Sequence, residues 1–368
     1  MTPLQQRRID EYYMREALSL AMNGTAYASP NPRVGCVIVK DGTVIGRGWH
    51  HRCGLPHAEV EAVRDAGGEV AGAAVYVSLE PCCHYGKTPP CAQMLIEHRV
   101  ARVVAGMTDP NPLVDSRGLK LLREAGAAVE VGVLEKECRW MNRGFIRRMT
   151  LGRPWTTIKT ASSLDGDIAL KDGSSKWVTG PEARARVHMM RAENDVVLTG
   201  VGTILADDPA FTVREAPGRT PLRVVLDHEL RTPPEARILD GGPVLFFAGR
   251  NAPAEKKRSL LARGAEIETL DCAKSGEIEY IVKRLCEKGV NYLMVEAGAR
   301  VTSAFLEAGL ADELSLFLAP KFMGAGLHFT EALAIDKMAD SIALRDLSVE
   351  KCGGDLWLKG VLACSLDL

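Results

Sequence analysis

Three short segments of this chain carry side chains suited to hydrolytic metal chemistry. They are His57-Ala58-Glu59, Pro81-Cys82, and Cys91 nine positions further on. One imidazole and two thiolates, with a carboxylate two residues after the histidine that is not itself a ligand, form the donor set of zinc deaminases. Two thiolates offset the charge of Zn²⁺, and three protein ligands leave a fourth position for water, the mark of a catalytic site. Bound zinc lowers the pKa of that water to about 7. Glu59 beside it would move protons from water to a ring nitrogen and to departing ammonia. A lone His-x-Glu or Pro-Cys is common; their order, each at a strand–helix junction, makes the combination specific. Cys83 and His84 could reach the same metal, so the residues alone leave the ligand choice open. Buried thiols or a structural zinc cluster is the plain alternative.

The second half offers a different set. Gly200-Val201-Gly202 follows an apolar run and would let a phosphate-bearing ligand approach closely, although Leu205 stands where the dinucleotide fingerprint has its third glycine. Gly298 opens a helix after the apolar run ending at Glu296. Free N–H groups there could hold a phosphate, and the place suits the ligand crevice at the carboxyl ends of α/β strands. Arg191 and Arg214 could bind a sugar phosphate bidentately; a helix-surface charge and a loop charge are the bland readings. Asp207-Asp208 would serve equally as a turn or cap. Lys159 is expected either in the same pocket or as a solvated strand-edge residue.

These residues need a frame. A helix is expected over Arg8–Tyr27, with Ile9, Tyr13, Ala17, Leu20 and Ala21 on its packed face. Strands over 34–39 and 43–49 flank Asp41-Gly42, a hairpin signal. Helices are expected from His57 to about Gly67, from Pro89-Pro90 to His98, over 118–125, and as one closing helix over 135–149. Strands are expected over 73–79, 100–106 and 129–134. Leu151-Gly152-Arg153-Pro154 reads as a linker, dividing residues 1–150 from 151–368. Beyond it, strands over 155–161, 196–199, 222–227, 244–248 and 292–296 alternate with helices over 181–193, 254–263, 278–288 and 301–308. That alternation favours a mostly parallel sheet covered on both faces. The tail from Asp312 shows only short strands, 314–318 and 356–361.

Composition narrows the class. The chain has 368 residues, 46 Lys plus Arg against 47 Asp plus Glu. A polynucleotide partner usually demands a basic excess or stripe, which is not evident. No run approaches the roughly 20 apolar residues of a membrane span, and the polar first ten residues lack the core of a secretory signal. Retention in the cytoplasm is the expectation, with most of the ten cysteines as free thiols.

The segment Glu80-Pro81-Cys82-Cys83-His84-Tyr85-Gly86-Lys87-Thr88-Pro89-Pro90-Cys91, with His57-Ala58-Glu59, resembles the bifunctional deaminase/reductase family of riboflavin biosynthesis. Asn31-Pro32-Arg33-Val34-Gly35 and Asp109-Pro110-Asn111-Pro112 fit the same family. So do Lys159 to Gly166, Ser175-Lys176-Trp177, Thr203 to Pro209 and Val295-Glu296-Ala297-Gly298. The wide cysteine spacing sets it apart from polynucleotide deaminases, whose cysteines lie two residues apart. The family typically has Ser at Cys83 and often Arg at Lys87.

The resemblance implies an α/β chain: a cytidine-deaminase-like α/β/α domain followed by a dihydrofolate-reductase-like α/β domain. It implies zinc on His57, Cys82 and Cys91, Glu59 as proton shuttle, and Cys83 as a bystander. It implies NADPH contacts at Ala161, Trp177, Thr203, Asp207 and His228, and along Gly298, Ala299, Arg300, Val301, Thr302, Ser303 and Ala304. The implied substrate contacts are Ser175, Arg191, Phe211, Arg214 and Glu296. The implied reactions are deamination of a phosphorylated diaminopyrimidinone, then NADPH-dependent reduction of its ribose to a ribityl chain, in a homo-oligomer without nucleic-acid or membrane partners. A tRNA or nucleoside deaminase fused to an unrelated α/β domain is the enzymatic alternative. A zinc-stabilised nucleotide-binding regulator is the non-enzymatic one.

Overall fold

The computed structural model describes residues 2–83, 90–111, 114, 116–214, 216–363 and 365. The chain divides into two compact units, Met1–Gly152 and Arg153–Asp367.

In the first unit, helix α1 (Pro3–Ala21) starts earlier than periodicity indicates. The Thr2 hydroxyl accepts from Gln5 N–H and the Gln5 side chain accepts from Thr2 N–H, a capping box. The buried stripe runs through Asp10, Met14, Ala17 and Ala21, not through Ile9. Asp10 can be buried because Arg102 grips it with two hydrogen bonds, 2.6 and 2.8 Å, and the Tyr76 hydroxyl adds a third at 3.0 Å. The chain then forms β1 (Gly35–Lys40), β2 (Thr43–Trp49), α2 (Ala58–Asp65), β3 (Ala74–Val77), α3 (Cys91–Glu97), β4 (Arg102–Ala105), α4 (Arg117–Glu124) and β5 (Ala128–Val131). The sheet order is β2-β1-β3-β4-β5. β1 is antiparallel to both neighbours, while β3, β4 and β5 are parallel.

The expected single closing helix is two, α5 (Glu135–Met141) and α6 (Arg143–Leu151). The break falls at Asn142, whose side-chain amide accepts from Arg33 N–H at 2.8 Å and donates to Arg33 O at 2.9 Å. A tertiary clasp on one polar residue overrides a continuous helical pattern.

The second unit runs β6 (Trp155–Ser162), β7 (Asp167–Ala169), α7 (Pro181–Glu193), β8 (Val196–Gly200), α8 (Val201–Asp207), β9 (Leu222–Leu226), β10 (Val244–Ala248), α9 (Ala254–Ala262) and β11 (Glu266–Thr269). It continues with α10 (Glu277–Glu287), β12 (Tyr292–Val295), α11 (Ala299–Glu307), β13 (Glu313–Leu318), β14 (Leu327–His328), β15 (Leu344–Cys352) and β16 (Asp355–Leu362). Nine of these strands form one sheet, ordered β11-β10-β9-β8-β12-β6-β13-β16-β15. It is parallel except at β16, which is antiparallel to β13 and β15. Cores cover both faces: Val197, Val225 and Phe246 face one, and Leu198, Val224, Leu245 and Phe247 the other. Strands buried on both sides read as continuous apolar runs, which is why the central ones are visible in the sequence. No helix among the described residues is long and apolar enough to cross a membrane.

Candidate functional site

In the first unit, two strand–helix junctions meet. His57 is the N-cap of α2, and Glu59 lies in its first turn. α2 can lie flush on β2 because Gly46 and Gly48 have no side chains. A Cβ at Gly48 would come within 2.2 Å of Ala58 O, and one at Gly46 within 2.2 Å of Ala62 O. From the other junction, Cys82 follows β3 and Cys91 is the first residue of α3. The loop is pinned by the buried Glu80 carboxylate, which accepts N–H bonds from Asp109, Ser116 and Gly118 at 3.2, 3.2 and 3.1 Å. Gly118 makes room for the chain itself, since a Cβ there would meet Pro81 O at 2.0 Å.

His57 Nδ1 therefore stands 3.3 Å from Cys91 Sγ and 3.5 Å from Cys82 Sγ. All three donor atoms lie within 4.8 Å of one another. Tetrahedral zinc, with Zn–S about 2.3 Å and Zn–N about 2.0 Å, would set its ligands roughly 3.5–3.8 Å apart, so the set fits the ion. The Cys91 thiol donates toward Cys82 Sγ, and that bond, opposed by burial and aided by His57, holds the Cys82 thiol down at about 4. A thiolate is the form that binds metal. Burial pushes the Glu59 carboxyl up to about 7, against the pull of His57. That is the range in which a carboxyl both gives and takes protons at neutral pH.

Cys83 does not join this group: its thiol is directed at Val114 O, 3.9 Å away. The other alternative ligand, His84, falls with residues 85–89 outside the described residues, as does Pro112. Sequence reasoning did not place His50 beside the pocket. Its ring stands edge-on to His57 at 5.5 Å between centroids. Its Nδ1 faces Pro56 O at 3.0 Å, which makes Nδ1 the donor and leaves Nε2 to accept from Asn31 Nδ2 at 3.0 Å. Asn31 lies 19 residues before His50, and no local pattern in the sequence joins the two.

In the second unit, Glu296 directly follows β12 as a charge nearly closed off, its side chain 13% exposed. Arg191 Nε and Nη2 each reach it at 3.0 Å, and Lys159 Nζ does so at 3.0 Å. Burial alone would raise this carboxyl, but the two cations outweigh it and hold it at about 2. Lys159 is thus in the pocket and is not a solvated edge residue. Phe211 lies under the Arg191 guanidinium, 5.1 Å from its centroid. Ser175 Oγ donates to Asp207 Oδ1 at 2.7 Å.

Gly200 is the N-cap of α8, so the expected glycine turn leads directly into a helix. A Cβ at Gly200 would press on Val301 Cγ2 at 2.9 Å, which brings the start of α8 against α11; at Gly202 and Gly298 a Cβ would meet nothing within 4 Å. Open space over two adjoining helix starts fits a cofactor lying across them. Ala161 lies on β6 and Thr203 on α8. Trp177 is 65% exposed, with Arg184 stacked at 4.5 Å. His228 follows β9 and pairs with Glu277 at 2.9 Å. Within Gly298–Ala304, Gly298 is the N-cap and Ala299 opens α11, while Thr302 and Ser303 are buried and Arg300 is exposed. Arg214 stands apart from this cluster; it is exposed, and its guanidinium bonds Thr212 in its own loop.

The model described as "Cytidine and deoxycytidylate deaminase zinc-binding region" matches residues 7–107, and that described as "RibD C-terminal domain" matches residues 154–358. The Riboflavin biosynthesis protein RibD of Aquifex aeolicus is 42% identical, covering 95% of this chain and 98% of its own. That of Escherichia coli is 41% identical, with the same shares. The chain belongs to the RibD family. Among solved structures, Acinetobacter baumannii RibD overlays with a TM-score of 0.88 at 36% identity, covering 97% of this chain and all of that one. A Thermotoga maritima protein titled a diaminohydroxyphosphoribosylaminopyrimidine deaminase/5-amino-6-(5-phosphoribosylamino)uracil reductase does so with a TM-score of 0.88 at 34%, with the same shares. Both RibD halves are present, a cytidine-deaminase-like N-terminal domain and a reductase C-terminal domain, as the resemblance implied.

Proposed function

We propose that His57, Cys82 and Cys91 hold zinc in the first unit, that Glu59 is the proton-transfer group, and that Glu296, Arg191, Phe211, Ser175 and Lys159 form the reductase pocket of the second. The chain is a bifunctional deaminase and reductase of riboflavin biosynthesis, with Zn²⁺ and NADPH as its cofactors. The observation that carries the site assignment is the convergence of one imidazole nitrogen and two sulfurs within 4.8 Å, beside a buried carboxyl. The substrate of this reading is the phosphorylated diaminopyrimidinone, and the second step reduces its ribose to a ribityl chain.

Zinc, when bound, supplies the Lewis acidity that makes water a nucleophile at neutral pH. Glu59, held on the first turn of α2, would carry one proton of the water to the ring nitrogen and then the second to the leaving amine, which departs as ammonia. NADPH supplies the hydride for the second step. Ala161, Trp177, Thr203, Asp207, His228 and the first turn of α11 would hold it; the unpaired N–H groups of that turn suit a phosphate. Arg191 and Phe211 orient the substrate, and Arg214, exposed on its loop, would add a phosphate contact. The reading includes a homo-oligomer in the cytoplasm.

The test is Glu59→Gln, assayed for zinc content, for ammonia release from the diaminopyrimidinone phosphate, and for NADPH oxidation with the deaminated compound. We expect full zinc, ammonia release lower by about 10²-fold or more, and unchanged NADPH oxidation. Wild-type ammonia release from this variant would remove Glu59 from the reaction.

A further inference from the structure

Beyond the nicotinamide end of the reductase pocket, the second unit has a cavity of about 830 Å³ at the carboxyl ends of β8 to β11. Val201 forms one wall, and the close approach of Gly200 to Val301 makes that wall continuous with the start of α11. Leu270, Cys272 and Ala273 add apolar surface, and the remaining side chains of the lining are charged or titratable. His228, Arg231, Arg250 and Lys274 bring positive groups or potential ones, and Asp227, Glu229 and Glu277 bring carboxylates.

Most of these charges are already engaged. The Asp227 carboxylate accepts from Arg231 N–H, Thr232 N–H and the Thr232 hydroxyl at 2.9, 2.8 and 2.8 Å. Glu277 faces His228 at 2.9 Å, and Arg250 is paired with Asp271. The guanidinium of Arg231 and the ammonium of Lys274 have no ion-pair partner among the described residues. Among the described residues Glu229 is the one lining carboxylate with neither an ion pair nor a side-chain hydrogen bond, since Asp227 is held by N–H and hydroxyl donors.

A dinucleotide crossing the starts of α8 and α11 would place its adenosine end here. An acidic residue at that point recognises a free ribose 2′-hydroxyl, whereas arginine accommodates a 2′-phosphate. We propose that Arg231 and Lys274 bind the 2′-phosphate of the cofactor and set its preference for the phosphorylated dinucleotide. The inference rests on the reading of this unit as an NADPH-dependent reductase. A guanidinium meets the phosphate through two parallel N–H bonds, and the ammonium adds a second positive charge.

The experiment measures binding to the full-length protein, by quenching of tryptophan fluorescence, of NADP⁺, NAD⁺ and adenosine 2′,5′-bisphosphate. Wild type should bind NADP⁺ and the bisphosphate well and NAD⁺ weakly. Arg231→Ala and Lys274→Ala should each weaken NADP⁺ and the bisphosphate by roughly 10-fold, the loss of one charge-assisted contact, and leave NAD⁺ within about twofold. Arg231→Glu should push the preference toward NAD⁺. Both positions are exposed, and melting curves check that the variants fold. Equal weakening of NADP⁺ and NAD⁺, or no change in either, overturns the assignment while leaving the reductase reading intact. A wild-type protein that binds none of the three overturns that reading itself.

Discussion

Replacing Gly48 with alanine tests whether the zinc pocket is positioned by helix–strand contact. The added Cβ would sit 2.2 Å from Ala58 O and 2.4 Å from Ala62 N, whereas nonbonded heavy atoms settle near 3.5 Å or beyond. Both atoms belong to the backbone of α2, so no rotamer change relieves the clash, and α2 must withdraw by about 1 Å. His57 and Glu59 ride on its first turn; Cys82 and Cys91 stay with β3 and α3. A misplacement of about 1 Å can cost about 10²-fold in rate, and overpacking of this kind costs roughly 1–3 kcal/mol. We expect Gly48→Ala to fold with a lowered melting temperature, to bind zinc more weakly in a chelator competition, and to release ammonia about 10²-fold more slowly. NADPH oxidation with the deaminated substrate should hold at the wild-type rate, since that pocket belongs to the other unit. Undiminished ammonia release at full zinc content would refute the argument that α2 is seated by these glycines.

Other outcomes follow from the same geometry. Cys83→Ala should keep one zinc per chain and ammonia release within about twofold, because its thiol is directed at Val114 O and lies outside the group formed by His57, Cys82 and Cys91; zinc loss measured by elemental analysis would reinstate it as a ligand. Glu296 is held at about 2 against its ordinary 4.5, so its stabilisation, roughly 3 kcal/mol, is complete above about pH 4.5 and is lost as pH falls toward 2. In denaturant titrations, Glu296→Gln should be less stable at neutral pH and should flatten this acid dependence; a wild-type slope would count against the ion cluster. Arg191→Lys should lower kcat/KM of the reductase by about 10-fold or more while ammonia release is unchanged, because an ammonium cannot reproduce the fork; wild-type kinetics would show that charge alone suffices.

The convergence of His57, Cys82 and Cys91 was legible in the sequence because these residues sit at element boundaries that leave local signals. His57 precedes an apolar helical stretch and Cys91 follows Pro90, the N-cap of α3. Central strands such as β10 were legible as unbroken apolar runs. The strands β7 and β11 (Asp-Ile-Ala and Glu-Ile-Glu-Thr) carry no such run, since each is short and sits at the edge of its sheet, where one neighbour suffices. The break at Asn142 and the burial of Asp10 were not legible, because their partners, Arg33 and Arg102, lie 109 and 92 residues away. The choice between Cys82 and Cys83 was open for a related reason. Adjacent residues in an extended loop point to opposite sides, and only the anchoring of that loop by Glu80 decides which sulfur faces His57.

The reductase pocket adds a constraint that residue types alone do not express. Arg191 was expected to meet a sugar phosphate with its full fork, yet Nε and one Nη2 hydrogen are spent on Glu296. A guanidinium has five N–H donors, so the Nη1 side remains for an incoming group, and the stacked Phe211 ring fixes the plane in which that side is presented. In the proposed reading, Glu296 would act on the substrate partly through Arg191, by aiming it. The bond from Lys159 to Oε1, the oxygen that Arg191 Nη2 also reaches, helps to keep the buried carboxylate ionised, because two cations offset the burial of one anion. Three charges in one hydrogen-bonded group leave one net positive charge facing the substrate space. That sign suits a phosphorylated compound, and the group supplies it without leaving any one of its members buried and unpaired, which is the arrangement that would cost stability.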